Sequence, residues 1–297
     1  MKNLIKRALT GIIFVAVIVG AICYSPVSFL VLFCLITGLS LWEFYGLMKN
    51  YENAAIKRLI SVAGGVYLFA ATFLYANEMV SGMIYLPYLM FLMYSMISEL
   101  YFKESNAINN WALTLFPQIY CAGFFSLLNF VITFENVKGF QEYTPLFILA
   151  IFVFVWVNDT GAFVFGSLFG KHRLFERISP KKSWEGFFGG LAAALAVSQV
   201  FAYYFSESNS ANWLGLDRFG LEWFGIQMNH FTWLGLAAVI VVFATWGDLT
   251  ESLLKRTLGV KDSGNVLPGH GGMLDRFDSI MMAAPAAFIY IEVFIRN

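Results

Sequence analysis

The sequence predicts an all-α integral membrane protein with about nine spans, and three observations carry that prediction. Of 297 residues, 59% are hydrophobic and only 13% charged, whereas an ordinary soluble domain carries about 25% charged residues. Apolar stretches near the length of a membrane helix, about 20 residues, recur at 8–24, 27–48, 58–76, 79–98, 111–133, 145–169, 185–206, 231–254 and 279–295. The basic residues alternate in step with them. With nine spans, all of the 19 Lys and Arg except Lys138, Arg218 and Arg296 fall on the side of the N-terminus. The positive-inside rule makes that side the cytoplasm and puts the C-terminus outside.

Taken in order, the N-terminal stretch resembles a secretory signal, but its apolar part is long and lacks a small-x-small cleavage site, so it reads as a retained first span. Pro26 breaks the first span from the second. The short joint at Ala76-Asn77 makes spans three and four a tight hairpin. Cys23, Cys34 and Cys121 all lie in apolar runs, with neither metal nor disulfide spacing, and read as small core residues. Glu43 in span two and Glu99 at the end of span four read as snorkelling or interhelical hydrogen-bonding acids. The segment 207–230 is rich in Trp, Leu and Phe and reads either as an interfacial amphipathic element or as a partly buried connector, with His230 an ordinary interfacial histidine. There is no convincing internal repeat. The chain reads as one membrane domain, 1–297, with N-terminal helices over 1–144 and catalytic helices and loops over 145–297. The zero net charge gives no case for nucleic-acid binding.

Polar residues concentrate in three places. In span six, Asp159 lies well inside an apolar run, where an acid costs roughly 2.5–3.5 kcal/mol on insertion scales and faces a cavity as a rule. Next comes the basic segment 170–186, with Lys181 and Lys182 suited to a lipid phosphate or pyrophosphate. Ser183 follows as a helix N-cap, and Glu185 complements the helix dipole. The stretch Asp248 to Asp278 is the most polar of all. If span eight stays helical, Asp248, Ser252 and Lys255 share a face. Asp275 and Asp278 share another if span nine reaches back to them. Carboxylates without cysteine suit a hard cation such as Mg2+. Lys255, Arg256, Lys261 and Arg276 suit phosphate oxygens. Gly271 and Gly272 let backbone N–H groups approach an anion. Together these are the parts needed to hold a nucleoside triphosphate and its metal. His270 stands open as a general base, a phosphate ligand or a loop-shaping residue.

The run Ser252-x-Leu254-Lys255-Arg256, then four residues, then Lys261-Asp262-x-Gly264-x-x-Leu267-Pro268-x-His270-Gly271-Gly272-Met273-x-Asp275-Arg276-Phe277-Asp278 resembles the signature of the phosphatidate cytidylyltransferases, or CDP-diacylglycerol synthases. Asn158-Asp159-Thr160-Gly161-Ala162 and Ser179-Pro180-Lys181-Lys182-Ser183-x-Glu185-Gly186 resemble further motifs of that family. The resemblance implies transfer of CMP from CTP to phosphatidate, giving CDP-diacylglycerol and pyrophosphate in phospholipid biosynthesis. It implies Mg2+ at Asp248 and Asp275, with Asp278 a further metal candidate and a second cation left open. It assigns the reaction to Asp248, Lys255, Arg256, Lys261, His270, Asp275, Arg276 and Asp278. Substrate binding falls to Asp159, Lys181, Lys182, Ser183, Glu185, Ser252, Gly271 and Gly272. The site is expected on the cytoplasmic face, in a bacterial inner membrane. CTP, phosphatidate and membrane lipids are the expected partners, and a homodimer is compatible with this but not required. Two other readings remain: a CTP-dependent kinase of a lipid alcohol, and a cation-coupled transporter using Asp159, Asp248 and Asp275.

Overall fold

The structure is a computed structural model that describes residues 2–48, 56–101, 106–205, 221–224, 226, 228–264, 266 and 271–296. Nine helices run through the described residues: α1 Lys2–Tyr24, α2 Pro26–Met48, α3 Arg58–Ala76, α4 Gly82–Tyr101, α5 Ala107–Val131, α6 Leu146–Phe169, α7 Trp184–Phe205, α8 His230–Thr257 and α9 Leu274–Phe294. All but α1 are long and apolar enough to cross a membrane, and α1 has a shorter apolar part, Thr10–Tyr24. The expected spans are thus present to within a few residues.

Local chemistry sets several boundaries. The α1–α2 break falls at Ser25, where the Ser25 N–H donates to Ser28 Oγ and the Ser28 N–H donates back to Ser25 Oγ, at 3.0 and 3.1 Å. Pro26 follows as the first residue of α2, where its missing N–H costs nothing. The Asn77 side chain donates to the Phe73 carbonyl at 2.8 Å and closes α3. Within α5, Pro117 is followed by a π-helical segment, Gln118–Gly123. There the Gln118 amide donates to Tyr45 Oη and to the Ser61 carbonyl, both at 2.7 Å. Cys121 is buried, Cys34 half-buried and Cys23 exposed, so only the first behaves as a full core residue.

Two short antiparallel hairpins were not expected from the sequence. Strands β1 Thr133–Glu135 and β2 Gln141–Tyr143 pair after α5, and β3 Arg173–Phe175 and β4 Ser179–Ser183 pair between α6 and α7. Strands of three to five residues are too short for a period of two to stand out. In β4 the pattern is masked further by Pro180 and two lysines.

The chain divides into two compact units, Met1–Asn129 with Lys255–Phe277, and Phe130–Leu254 with Asp278–Asn297. In the first, Phe277 sits against Phe14, Phe33 and Phe125 with ring centroids 5.8, 6.5 and 5.8 Å apart. In the second, α6 and α7 touch along small residues. A Cβ on Gly186 would lie 2.8 Å from the Ala162 carbonyl oxygen, and one on Gly161 would lie 3.0 Å from the Gly190 Cα. Small residues let membrane helices approach backbone to backbone, where lipid supplies no hydrophobic drive. In the same unit, fully buried Trp233 stacks on Phe147, meets Phe154 edge-to-face and lies tilted against Phe201.

Candidate active site

In the second unit the close packing of α6 and α7 brings two of the polar motifs together. A cavity of about 300 Å³ is lined by Asp159 from α6, Lys181 and Lys182 from β4, and Asp248 from α8. Its apolar wall is built by Ala162, Phe163, Leu174 and Phe187. Asp159 therefore meets a cavity and not a greasy helix face. Lys182 Nζ is 2.6 Å from Asp248 Oδ2, and Ser252 Oγ donates to Asp248 Oδ1 at 3.2 Å. The stripe expected on span eight exists because α8 stays helical to Thr257.

The entry to α7 is built as its sequence suggests and then elaborated. Ser183 Oγ accepts from the Gly186 N–H at 3.1 Å, an N-cap contact. Glu185 reaches back across the turn that follows α6. It accepts from the backbone N–H groups of Lys171 and His172 at 3.1 and 3.2 Å and meets His172 Nδ1 at 2.6 Å. Glu185 thus fixes the base of the β3–β4 hairpin that carries Lys181 and Lys182. His172 serves the same turn.

The first unit holds the other polar constellation, around Asp275. Helix α9 does reach back past both Asp275 and Asp278. Asp275 Oδ1 accepts from Lys255 Nζ at 2.7 Å and from the Ser263 N–H at 3.2 Å. Its Oδ2 accepts from the Ser263 N–H at 3.0 Å and from the Gly272 N–H at 2.9 Å. The side chains are nearly closed off from solvent, at 12% exposure for Lys255 and 8% for Asp275. Gly271 has a φ of +85°, and a Cβ there would lie 2.8 Å from Asp275 Oδ2. The glycine pair thus admits this carboxylate, and the Gly272 N–H is used on it.

Glu43, which the sequence left without chemistry, belongs to the same constellation. Its carboxylate accepts from Ser263 Oγ and from the N–H groups of Met273 and Leu274, each at 2.9 Å. The signal that could have found it is the one that found Asp159: an acid within an apolar span. Asp278 Oδ1 accepts from the Ser279 N–H at 2.6 Å. Arg256, Lys261 and Arg276 are exposed. His270 lies outside the described residues, as does 206–220 of the aromatic-rich segment. His230 opens α8 with its Nδ1 2.9 Å from Gln199 Oε1.

Among the described residues, no three Asp, Glu, His or Cys side chains gather as a ready-made metal centre. Two carboxylates in one cavity nonetheless fit Mg2+, which takes one or two protein carboxylates and completes its shell with substrate phosphates and water. Asp159 and Asp248 meet that description. Asp275 already has four donor contacts, as many as its lone pairs accommodate.

Fold and site together define a polytopic membrane protein that gathers ammonium and carboxylate groups beside an apolar wall. The chain belongs to the cytidylyltransferase family, whose model its residues 5–294 match. It is 31% identical over 314 residues to a phosphatidate cytidylyltransferase of Haemophilus influenzae, covering 98% of this chain and 99% of that one. Over 139 residues it is 43% identical to a protein of the same name from Staphylococcus aureus, covering 47% of this chain and 46% of the relative. A Staphylococcus haemolyticus protein of that name is 44% identical over 141 residues, with the same shares covered.

Proposed function

We propose that the protein is a nucleotidyltransferase that moves CMP from CTP to phosphatidate, releasing pyrophosphate and leaving CDP-diacylglycerol in the membrane. The observation that carries this reading is the mixed lining of the cavity in the second unit. Lys181 and Lys182 stand beside Phe163 and Phe187, the combination that suits a phosphate attached to acyl chains.

In this reading a phosphatidate oxygen attacks the α-phosphorus of CTP in line. A new P–O bond forms, the bond from the α-phosphorus to the α,β-bridging oxygen breaks, and pyrophosphate leaves with the electron pair. The nucleophile is already an anion, so positioning and charge neutralisation supply most of the acceleration. Lys182 and Lys181 hold phosphate oxygens. Lys255, kept in place by Asp275, adds a further ammonium group, and Arg256, Lys261 and Arg276 neutralise the triphosphate. Asp248 and Asp159 would hold Mg2+, with Asp278 as a further carboxylate, while Asp275 stays engaged with Lys255, Ser263 and Gly272. When bound, such an ion would supply Lewis-acid neutralisation of phosphate charge. The basic residues on the N-terminal side support a site facing the cytoplasm, where CTP is available. The reaction needs one copy of each residue, so a homodimer is compatible with it and not required.

The test is label transfer by purified protein in detergent micelles with phosphatidate and Mg2+. Label from the α-phosphate of CTP is expected in the lipid product. Label from the γ-phosphate entering a lipid alcohol would instead make the protein a kinase. No transfer by folded protein, with ion flux in liposomes, would favour a transporter.

A further inference from the structure

Glu43 lies on α2, more than two hundred residues before the polar stretch it binds, and no step of the proposed reaction uses it. It is 5% exposed, and a buried carboxylate is retained only where donors compensate its desolvation. Its three donors come from both ends of one loop: Ser263 Oγ on the ingoing side, and the Met273 and Leu274 N–H groups on the outgoing side. The Leu274 and Met273 N–H groups stand at the start of α9, so the carboxylate also complements that helix terminus.

Two glycines make room for it. A Cβ on Gly264 would lie 2.6 Å from Glu43 Oε1, and a Cβ on Gly272 would overlap Glu43 and Ser263 Oγ. Ser263 joins Glu43 to the reaction machinery: its hydroxyl goes to Glu43, while its N–H goes to Asp275, the partner of Lys255. The result is a buried relay of hydrogen bonds, Glu43 to Ser263 to Asp275 to Lys255, in which each group restrains the next.

We propose that Glu43 is a positioning residue for cytidylyl transfer: it ties the two ends of the loop together through Ser263, Met273 and Leu274 and so sets the placement of Asp275 and Lys255. This inference rests on the reaction proposed above for its activity readout. Glu43→Gln keeps the shape but sets an amide NH2 against N–H donors and removes the charge. Removing such an outer-shell partner costs about 10–100-fold in activity, and that fall is expected in kcat/KM for CTP. Glu43→Asp should restore part of it. Ser263→Ala cuts the same link while leaving α2 intact and should give a smaller fall of the same kind. Glu99→Gln serves as the control for general destabilisation, because Glu99 is a buried acid of the same unit bonded to Asn110 at 2.7 Å and remote in sequence from the loop. It should lower Tm with no fall in kcat/KM of the folded fraction. Hydrogen exchange at 272–274 should quicken in Glu43→Gln, a readout that needs no activity. Should Glu43→Gln not fold, Ser263→Ala carries the test. Wild-type kcat/KM and unchanged exchange in folded Glu43→Gln or Ser263→Ala would overturn the proposal. Absence of transfer by the wild type would instead remove the reaction, and exchange alone would then decide whether Glu43 holds the loop.

Discussion

Asp275 and Lys255 form a nearly buried ion pair, and such pairs are costly to break from one side. Asp275→Asn takes the carboxylate charge away from the nearly buried Lys255 ammonium, and for breaking a buried pair from one side about 3–5 kcal/mol of destabilisation is expected. A fall in Tm measures it. Pairing that change with Lys255→Met removes the ammonium charge as well, so Tm should recover while transfer does not. Recovery of both would assign the pair a purely structural role. Asp275 was legible as an acid in a polar signature, but its three donors were not, because Lys255 is twenty residues away and the Ser263 and Gly272 N–H groups come from a loop whose path no local pattern records. The partners of Glu43 were hidden for a related reason. They are more than two hundred residues away, so the sequence offered only an isolated acid in an apolar span, for which snorkelling or an interhelical hydrogen bond was a sufficient account; the structure shows hydrogen bonds, to Ser263, Met273 and Leu274.

Among the elements, the helices were legible and the hairpins were not. A stretch of about 20 apolar residues is a strong signal, and every expected span is matched by a helix in the structure. The β3–β4 hairpin is only a few residues per strand, yet it is what presents Lys181 and Lys182 to the cavity. Its base is held by Glu185, and its continuation into α7 is capped by Ser183. Ser183→Ala should therefore cost about 1 kcal/mol, the usual loss for an N-cap, visible as a modest fall in Tm. Glu185→Gln should raise KM for the lipid more than it lowers Tm, because the hairpin base loosens while α7 persists. The α6–α7 contact gives a third prediction at this scale. Gly161→Leu forces a side chain against Gly190 and Ala193, so it should separate the helices and depress both Tm and transfer. An unchanged Tm would mean the close approach is not what holds the cavity together.

For the whole molecule, charge placement and family membership converge on one account. The apolar composition, the basic asymmetry across spans and the match over 5–294 all bear on an enzyme embedded in its lipid substrate's own phase. Sidedness is directly measurable. A cysteine introduced next to Lys181, in a background without Cys23, Cys34 and Cys121, should react with a membrane-impermeant reagent from the side that carries the N-terminus. Labelling only from the other side would reverse the orientation. The central claim is that the cavity lined by Asp248 and Lys182 transfers CMP to phosphatidate. The most direct test is single-turnover transfer of α-phosphate label from CTP into phosphatidate by the wild type and by Asp248→Asn at matched Tm. The account predicts labelled CDP-diacylglycerol from the wild type and a loss of about a hundredfold or more in the variant, the scale of removing a preorganised electrostatic contact. Undiminished transfer by Asp248→Asn would contradict it.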